Sequence, residues 1–175
     1  HELKLALAQL HGVQFNQVTL GNGSNDLLVM LAEAFLTAES SAVYSQHAFA
    51  IYGIVVQATG ARGKATPAYA EGHAMHLGHD LTAMLAAIDD STRLVFIANP
   101  NNPTGTWNTP AQITQFLQAV PPTVIVVLDE AYHEYLPDGS QYDSIGWLGR
   151  FPNLVVTRTF SKVYGLAGLR VGYAF

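Results

Sequence analysis

Val124-Ile125-Val126-Val127-Leu128 is the most distinctive stretch of the chain, five consecutive apolar residues of which four are β-branched. An unbroken run of this kind is typical of a parallel strand that is covered on both faces of its sheet. A second run, Leu94-Val95-Phe96-Ile97, lies within residues 93–98. The two runs therefore predict a buried sheet with parallel strands.

Strand-like and helix-like segments alternate through the rest of the 175 residues. Further strands are predicted at residues 18–20, 42–44, 62–65, 154–157 and 169–175. Helices are predicted at residues 27–35, 49–58 and 80–88, the last with Asp80 near its N-cap, and after Thr109-Pro110, where proline takes the favoured first position. This alternation predicts an α/β fold, a three-layer αβα domain around a mostly parallel sheet of about seven strands.

Composition and charge exclude several classes of function. The net charge is −5 and no cluster of Lys and Arg occurs, so nucleic-acid binding is not expected. No apolar stretch approaches the roughly 20 residues of a membrane-spanning helix, and none of these residues shows the charged-then-apolar pattern of an export leader. We therefore expect no membrane partner and a cytoplasmic location. The chain has no cysteine, which excludes disulfides and thiolate chemistry.

Both ends of the chain resemble internal parts of a longer protein. The first residue is His1, and Leu3, Leu7 and Leu10 already recur at helical spacing. The last five residues, 171–175, are strand-like and have no polar tail. We therefore expect residues 1–175 to form one domain that is truncated at both ends.

Four polar segments follow predicted strands, at the edge of an open α/β sheet where ligands bind. They are residues 21–26, 99–105, 129–132 and 159–170. The last segment contains Lys162, and a lysine of lowered pKa can form an imine with an aldehyde. The hydroxyls of Thr159 and Ser161 and the guanidinium of Arg170, in the same segment, can hold a phosphate. A solvated lysine and arginine beside a glycine turn is the structural alternative.

These four segments, in this order, resemble the motifs of the class I/II pyridoxal-phosphate aminotransferases. Residues 159–172, Thr-Phe-Ser-Lys-Val-Tyr-Gly-Leu-Ala-Gly-Leu-Arg-Val-Gly, resemble the Schiff-base motif of that family. Residues 98–105 resemble its Asn-Pro-Thr-Gly turn, residues 129–132 its Asp-x-x-Tyr site and residues 21–26 its phosphate loop. The resemblance implies the large cofactor-binding domain of the aspartate aminotransferase-like fold, without the small C-terminal domain.

The histidinol-phosphate aminotransferase branch of this family is the most similar, through residues 129–135 and 158–170. Val163 departs from it, because many relatives have a smaller residue after the lysine. The branch implies transfer of an amino group from L-histidinol phosphate to 2-oxoglutarate by a homodimer with active sites at the interface. Residues 1–175 alone are then expected to be inactive. An aromatic aminotransferase, a phosphothreonine decarboxylase and a non-catalytic regulator domain that binds the cofactor are the alternatives.

The resemblance implies roles for four catalytic residues. Lys162 forms the Schiff base with pyridoxal 5′-phosphate and moves the proton between the substrate Cα and the cofactor C4′. Asp129 pairs with the pyridinium nitrogen, which makes the cofactor ring an electron sink. Asn102 and Tyr132 donate hydrogen bonds to the phenolic oxygen. A helix-cap or turn residue is the less favoured alternative for Asp129, and without the other motifs Asn102 would be interpreted as a turn residue only.

The resemblance also implies which residues hold the rest of the cofactor. The phosphate is bound by the backbone amides of a helix N-terminus and by polar side chains of the Schiff-base motif, namely Ser24, Asn25, Asp26, Thr159, Ser161 and Arg170. Asp26 contributes its backbone only, since its carboxylate would repel a phosphate. Phe49 stacks on the pyridine ring, although an aromatic residue at helical spacing is also a good core residue.

His73, His76 and His79 are spaced by three residues, which suggests a metal site at first sight. Gly72 and Gly78 make a helix through them unfavourable, so the three rings are not expected to share a face. We therefore predict surface histidines and no bound metal.

Overall fold

The computed structural model describes residues 1–175, and a single seven-stranded sheet lies at its centre. The strands are β1 (Thr19–Gly21), β2 (Ser41–Ser45), β3 (Arg62–Thr66), β4 (Thr92–Ala98), β5 (Ile125–Asp129), β6 (Leu154–Thr159) and β7 (Gly172–Ala174). Their order in the sheet is β1-β7-β6-β5-β4-β2-β3. Strands β2 to β6 are parallel, whereas β7 runs antiparallel to both β1 and β6. The predicted mostly parallel sheet of seven strands is therefore confirmed.

Helices cover both faces of this sheet. They are α1 (Glu2–His11), α2 (Ser24–Phe35), α3 (Ile51–Ala58), α4 (Leu81–Ala86) and α5 (Pro110–Ala119). Alternate residues of β4 enter opposite cores: Val95 and Ile97 pack with α4 and α5, whereas Leu94 and Phe96 pack with α2 and α3. This alternation produces the predicted three-layer αβα arrangement. None of the helices has the length and apolar run needed to cross a bilayer.

Two helices begin at the caps that the sequence indicates. Thr109 accepts a hydrogen bond from the Gln112 amide before α5, and Asp80 accepts bonds from the Thr82 and Ala83 amides before α4. Other boundaries differ from the prediction. Helix α3 begins two residues after Phe49, and β7 begins only at residue 172 because a short 3₁₀ turn occupies residues 167–169.

His79 is buried, with only 2% of its surface exposed, so its assignment as a surface histidine is wrong. It directly precedes the cap of α4, and its Nε2 accepts a hydrogen bond of 3.2 Å from the Ala98 amide at the end of β4. His73 and His76 are exposed, as predicted. Burial lowers the pKa of His79 to about 4, so the ring is neutral at pH 7.

Acid is expected to destabilise the fold through His79. Its pKa falls from the ordinary 6.5 to about 4 on folding, so the stability is complete above pH 6.5 and is lost as the pH falls towards 4. Between pH 7 and pH 5 the loss from this group is on the order of 2 kcal/mol. Urea denaturation at the two pH values measures it.

His79→Gln is the matched variant for this measurement, because a glutamine oxygen can accept the Ala98 hydrogen bond without titrating. The variant should lose less stability between pH 7 and pH 5 than the wild type. Some dependence of stability on pH should remain, because burial also lowers the pKa values of His11 and His133. If His79→Gln lost as much stability between pH 7 and pH 5 as the wild type does, the loss would not come from His79.

Candidate active site

A cavity of about 260 Å³ lies at the carboxyl ends of β4, β5 and β6. The structure brings ten of the eleven predicted site residues together around it: Ser24, Asn25, Phe49, Asn102, Asp129, Tyr132, Thr159, Ser161, Lys162 and Arg170. These residues come from five separate segments of the chain. The parallel strands place the polar ends of those segments at one edge of the sheet, as the doubly wound arrangement predicts.

Asp129 forms the buried floor of the cavity at the last position of β5. Its Oδ2 accepts a 2.7 Å hydrogen bond from the Tyr52 hydroxyl, and its Oδ1 accepts bonds from the Ala131 amide at 3.2 Å and the Thr157 hydroxyl at 3.3 Å. Burial raises the pKa of Asp129, and these hydrogen bonds partly oppose the shift. The carboxyl group is thus held in one orientation, where a cationic partner in the cavity would favour its charged form.

Tyr52 also lines the cavity, although none of the four motifs contains it. It lies three residues after Phe49, is fully buried and stacks on Phe96 with 4.9 Å between ring centroids. Burial raises the pKa of Tyr52 and keeps its hydroxyl protonated, so it donates to Asp129. The three-residue spacing from Phe49 is the signal that could have identified it, since such residues share one face of a helix.

The amine of Lys162 lies at the rim of the cavity, beyond the end of β6. Its Nζ is 5.2 Å from the centroid of the Tyr132 ring. Asn102 reaches the same cavity from the turn after β4. The neighbouring Asn101 stabilises that turn by donating 2.7 Å hydrogen bonds to the His47 carbonyl and the Thr104 hydroxyl. The side chains of Lys162, Tyr132 and Asn102 therefore line the same cavity.

One corner of the cavity is suited to an anion. Ser24 and Asn25 form the first turn of α2, where free backbone amides and the helix dipole favour negative charge. Gly23 has a φ of +83°, and a Cβ there would lie 2.5 Å from Arg170 Nη2. Arg170 donates 3.1 Å hydrogen bonds to the carbonyls of Asn22 and Ala167, which hold its guanidinium in this corner.

Ser161 supplies a second indication that the corner binds a ligand. Its hydroxyl is buried, lines the cavity and has no hydrogen-bond partner in the protein. Its amide donates a 3.1 Å hydrogen bond to the Thr159 hydroxyl. Buried hydroxyls are normally paired, so an unpaired one beside a guanidinium and a helix N-terminus fits a phosphate group.

Asp26 is the predicted site residue that the structure does not bring to the cavity lining. Its carboxylate accepts a 3.0 Å hydrogen bond from the Asn22 amide and so closes the loop before α2. The other lining residues that were not assigned are small or apolar, namely Gly23, Ala98, Pro100 and Ala131. Such residues shape a cavity without carrying a chemical signal that a sequence motif can reveal.

The chain is similar to proteins of one family. The model of class I and II aminotransferases matches residues 1–175. Histidinol-phosphate aminotransferase 2 of Methylococcus capsulatus is 57% identical over 173 residues, which are 99% of this chain and 47% of that protein.

Solved structures of similar fold include two aminotransferases. The Sinorhizobium meliloti histidinol-phosphate aminotransferase in complex with pyridoxal-5′-phosphate is 36% identical with a TM-score of 0.89, covering 100% of this chain and 46% of that chain. The aromatic aminotransferase from Pyrococcus horikoshii is 26% identical with a TM-score of 0.87, covering 99% of this chain and 48% of that one. The chain thus spans about half the length of the relatives it matches. It belongs to the class I and II aminotransferase family.

Proposed function

We propose that the protein containing this chain is a pyridoxal 5′-phosphate-dependent aminotransferase that transfers an amino group from L-histidinol phosphate to 2-oxoglutarate. The observation that carries this proposal is the convergence of a lysine amine, a buried carboxyl group and an anion-binding corner on one cavity. A phosphorylated, planar aldehyde with a ring nitrogen needs all three. The 57% identity to a histidinol-phosphate aminotransferase supports the choice of amino donor.

Each part of the cavity has a chemical task under this proposal. Pyridoxal phosphate, when bound, supplies an electron sink and a reversible carrier for the amino group. Lys162 would hold the cofactor at its aldehyde carbon through Nζ, and its amine would carry the proton to and from the substrate Cα. Asp129, held by Tyr52, would keep the ring nitrogen protonated. Asn102 and Tyr132 would donate hydrogen bonds to the phenolic oxygen.

The remaining residues orient the cofactor. The first-turn amides of α2 at Ser24 and Asn25 would bind the phosphate, together with the cavity-lining side chains of Thr159, Ser161 and Arg170. The Ser161 hydroxyl would gain the partner that it lacks within the protein. Phe49 lies in the cavity wall and would cover one face of the ring.

We also propose that the full-length protein is a homodimer with the active site at the subunit interface, in the cytoplasm, and that residues 1–175 alone do not turn over substrate. Exposed apolar side chains directly follow Lys162, which supports an interface beside the cavity. They are Val163, Tyr164, Leu166 and Leu169, between 42% and 65% exposed. Sedimentation of the full-length protein tests the dimer.

The experiment for the cofactor uses the full-length protein and added pyridoxal phosphate. The wild type should develop the visible absorption band of lysine-bound pyridoxal phosphate, and Lys162→Ala should not. Lys4→Ala is the matched control. Lys4 is on α1, where its amine lies over the Phe15 ring and away from the cavity lining, so its loss should leave the band intact. No band in the wild type would refute the proposal.

The substrate is tested by competition among the alternatives. L-histidinol phosphate should be a far better amino donor to 2-oxoglutarate than aromatic amino acids are. Release of CO₂ from phosphothreonine would instead identify a decarboxylase. Cofactor binding without turnover of any of these compounds would favour a regulator.

A further inference from the structure

A buried ion pair lies behind the cavity, on the opposite side of Asp129. The Glu130 side chain is fully buried, and its Oε2 accepts hydrogen bonds from Arg158 Nε at 2.9 Å and Nη2 at 2.8 Å. Glu130 directly follows the catalytic carboxylate Asp129, and Arg158 lies on β6 four residues before Lys162. The pair therefore joins the ends of β5 and β6, next to the two groups that flank the cavity.

The second oxygen of Glu130 faces a cluster of polar side chains. His133 Nδ1 is 3.6 Å from Oε1, which accepts no hydrogen bond within the protein. The His133 ring packs edge-on against the Tyr142 ring with 5.0 Å between centroids. The Tyr142 ring stacks on Trp147 with 5.2 Å between centroids. Arg158 and His133 thus lie beside the two oxygens of one carboxylate, and Tyr142 packs against His133.

Tyr142 connects this cluster to the turn that carries Asn102. The Asn99 amide group donates a 2.8 Å hydrogen bond to the Tyr142 hydroxyl, and the Asn99 side-chain oxygen accepts a 2.7 Å bond from the Asn108 amide. The backbone amide of Asn99 also donates to the Asp129 carbonyl at 2.9 Å. Asn99 begins the turn that places Asn102 in the cavity.

We propose that Glu130, Arg158, Tyr142 and Asn99 are positioning residues, which hold the segments of Asp129, Lys162 and Asn102 at fixed distances from one another around the cavity. None of the four lines the cavity itself. The proposal rests on the proposed function for its cofactor readouts, but the coupling of the three segments is a property of the protein alone. When a substitution outside the cavity displaces the reacting groups by about 1 Å, the rate of the reaction can fall about 100-fold.

The experiment compares three forms of the full-length protein: wild type, Glu130→Gln, and the double variant Glu130→Gln/Arg158→Met. Glu130→Gln leaves a buried guanidinium without its counter-ion, so it should be less stable. The double variant removes both charges, so no buried charge is left without a partner, and part of the lost stability should recover. Cofactor affinity and kcat, by contrast, should stay low in both, with kcat reduced about 100-fold.

Hydrogen exchange in the cofactor-free protein supplies a readout independent of the enzyme reaction. The Asn108 amide should exchange faster in both variants, because loss of the Glu130 carboxylate loosens His133 and Tyr142, and the Tyr142 hydroxyl accepts a hydrogen bond from Asn99, the acceptor of the Asn108 amide. Asp89→Asn is the control: it breaks the 2.7 Å ion pair with Lys64 before β4, at the opposite edge of the sheet. It should change neither Asn108 exchange nor cofactor affinity.

Two results would overturn the proposal. One is a double variant whose cofactor affinity, kcat and Asn108 exchange all return to wild-type values together with its stability. The other is an Asp89→Asn variant that matches Glu130→Gln in every readout. If wild-type protein binds no cofactor, the proposed function fails, whereas the exchange measurement still decides whether the segments are coupled.

Discussion

Gly172→Ala is expected to destabilise the protein by about 3 kcal/mol or more, a large effect for the addition of one methyl group. Gly172 begins β7, and a Cβ at this position would lie 2.3 Å from the Ser24 amide nitrogen and 2.4 Å from the Gly23 carbonyl carbon. Both atoms belong to the backbone at the start of α2 and cannot rotate away. The helix that forms the anion-binding corner would have to move.

Urea denaturation measures this loss, and Gly168→Ala is the matched control. Gly168 lies four residues earlier, and a Cβ there has no neighbour within 4 Å. Its substitution should change the free energy of unfolding by less than about 0.5 kcal/mol. Equal stability of the two variants would show that α2 does not pack against β7 as described.

Asp129→Asn is expected to lower kcat roughly 100- to 1000-fold in the full-length enzyme, the cost of removing one preorganised charge from an active site. The cofactor-free variant should nevertheless be no less stable than the wild type at neutral pH. Burial raises the pKa of Asp129 above its ordinary 3.8 on folding. The folded wild type therefore binds the proton of the Asp129 carboxyl group more tightly than the unfolded chain does. Its free energy of unfolding falls as the pH rises from 3.8 to the raised pKa of the folded state. Asparagine carries no charge and avoids the loss.

Steady-state kinetics and denaturation of the cofactor-free protein test the two halves of this prediction. Tyr52→Phe is the milder variant for comparison. It removes the 2.7 Å hydrogen bond that the Tyr52 hydroxyl donates to Asp129 and leaves the carboxylate in place. It should lower kcat by about 10-fold, in keeping with the loss of one hydrogen bond to a charged group. An Asp129→Asn enzyme with wild-type kcat would rule out a role for this carboxylate at a ring nitrogen.

Local patterns predicted those parts of the fold that depend on neighbouring residues. The apolar run at residues 124–128 became β5 with a shift of one residue, and the caps at Asp80 and Thr109 begin helices where expected. The residues that line the cavity come from motifs in a fixed order along the sequence, and they meet because parallel strands bring their carboxyl ends to the same edge of the sheet.

Long-range packing explains what local patterns did not reveal. His79 stands in a glycine-containing polar stretch that reads as surface, yet its ring contacts the end of β4, nineteen residues away in sequence. Tyr52 and Asp129 are 77 residues apart, so their hydrogen bond leaves no trace in either local segment. The Glu130–Arg158 pair is likewise visible only once β5 and β6 are adjacent.

The antiparallel insertion of β7 between β1 and β6 has a consequence for synthesis on the ribosome. Asn22 and Arg170 are in contact but 148 positions apart, so helix α2 emerges early, whereas strand β7, which follows Arg170, emerges late. A nascent chain that has reached β6 still presents an unpaired strand edge, and closing such distant contacts is slow. The stage just before residues 170–175 appear is therefore when we expect this polypeptide to need protection from aggregation.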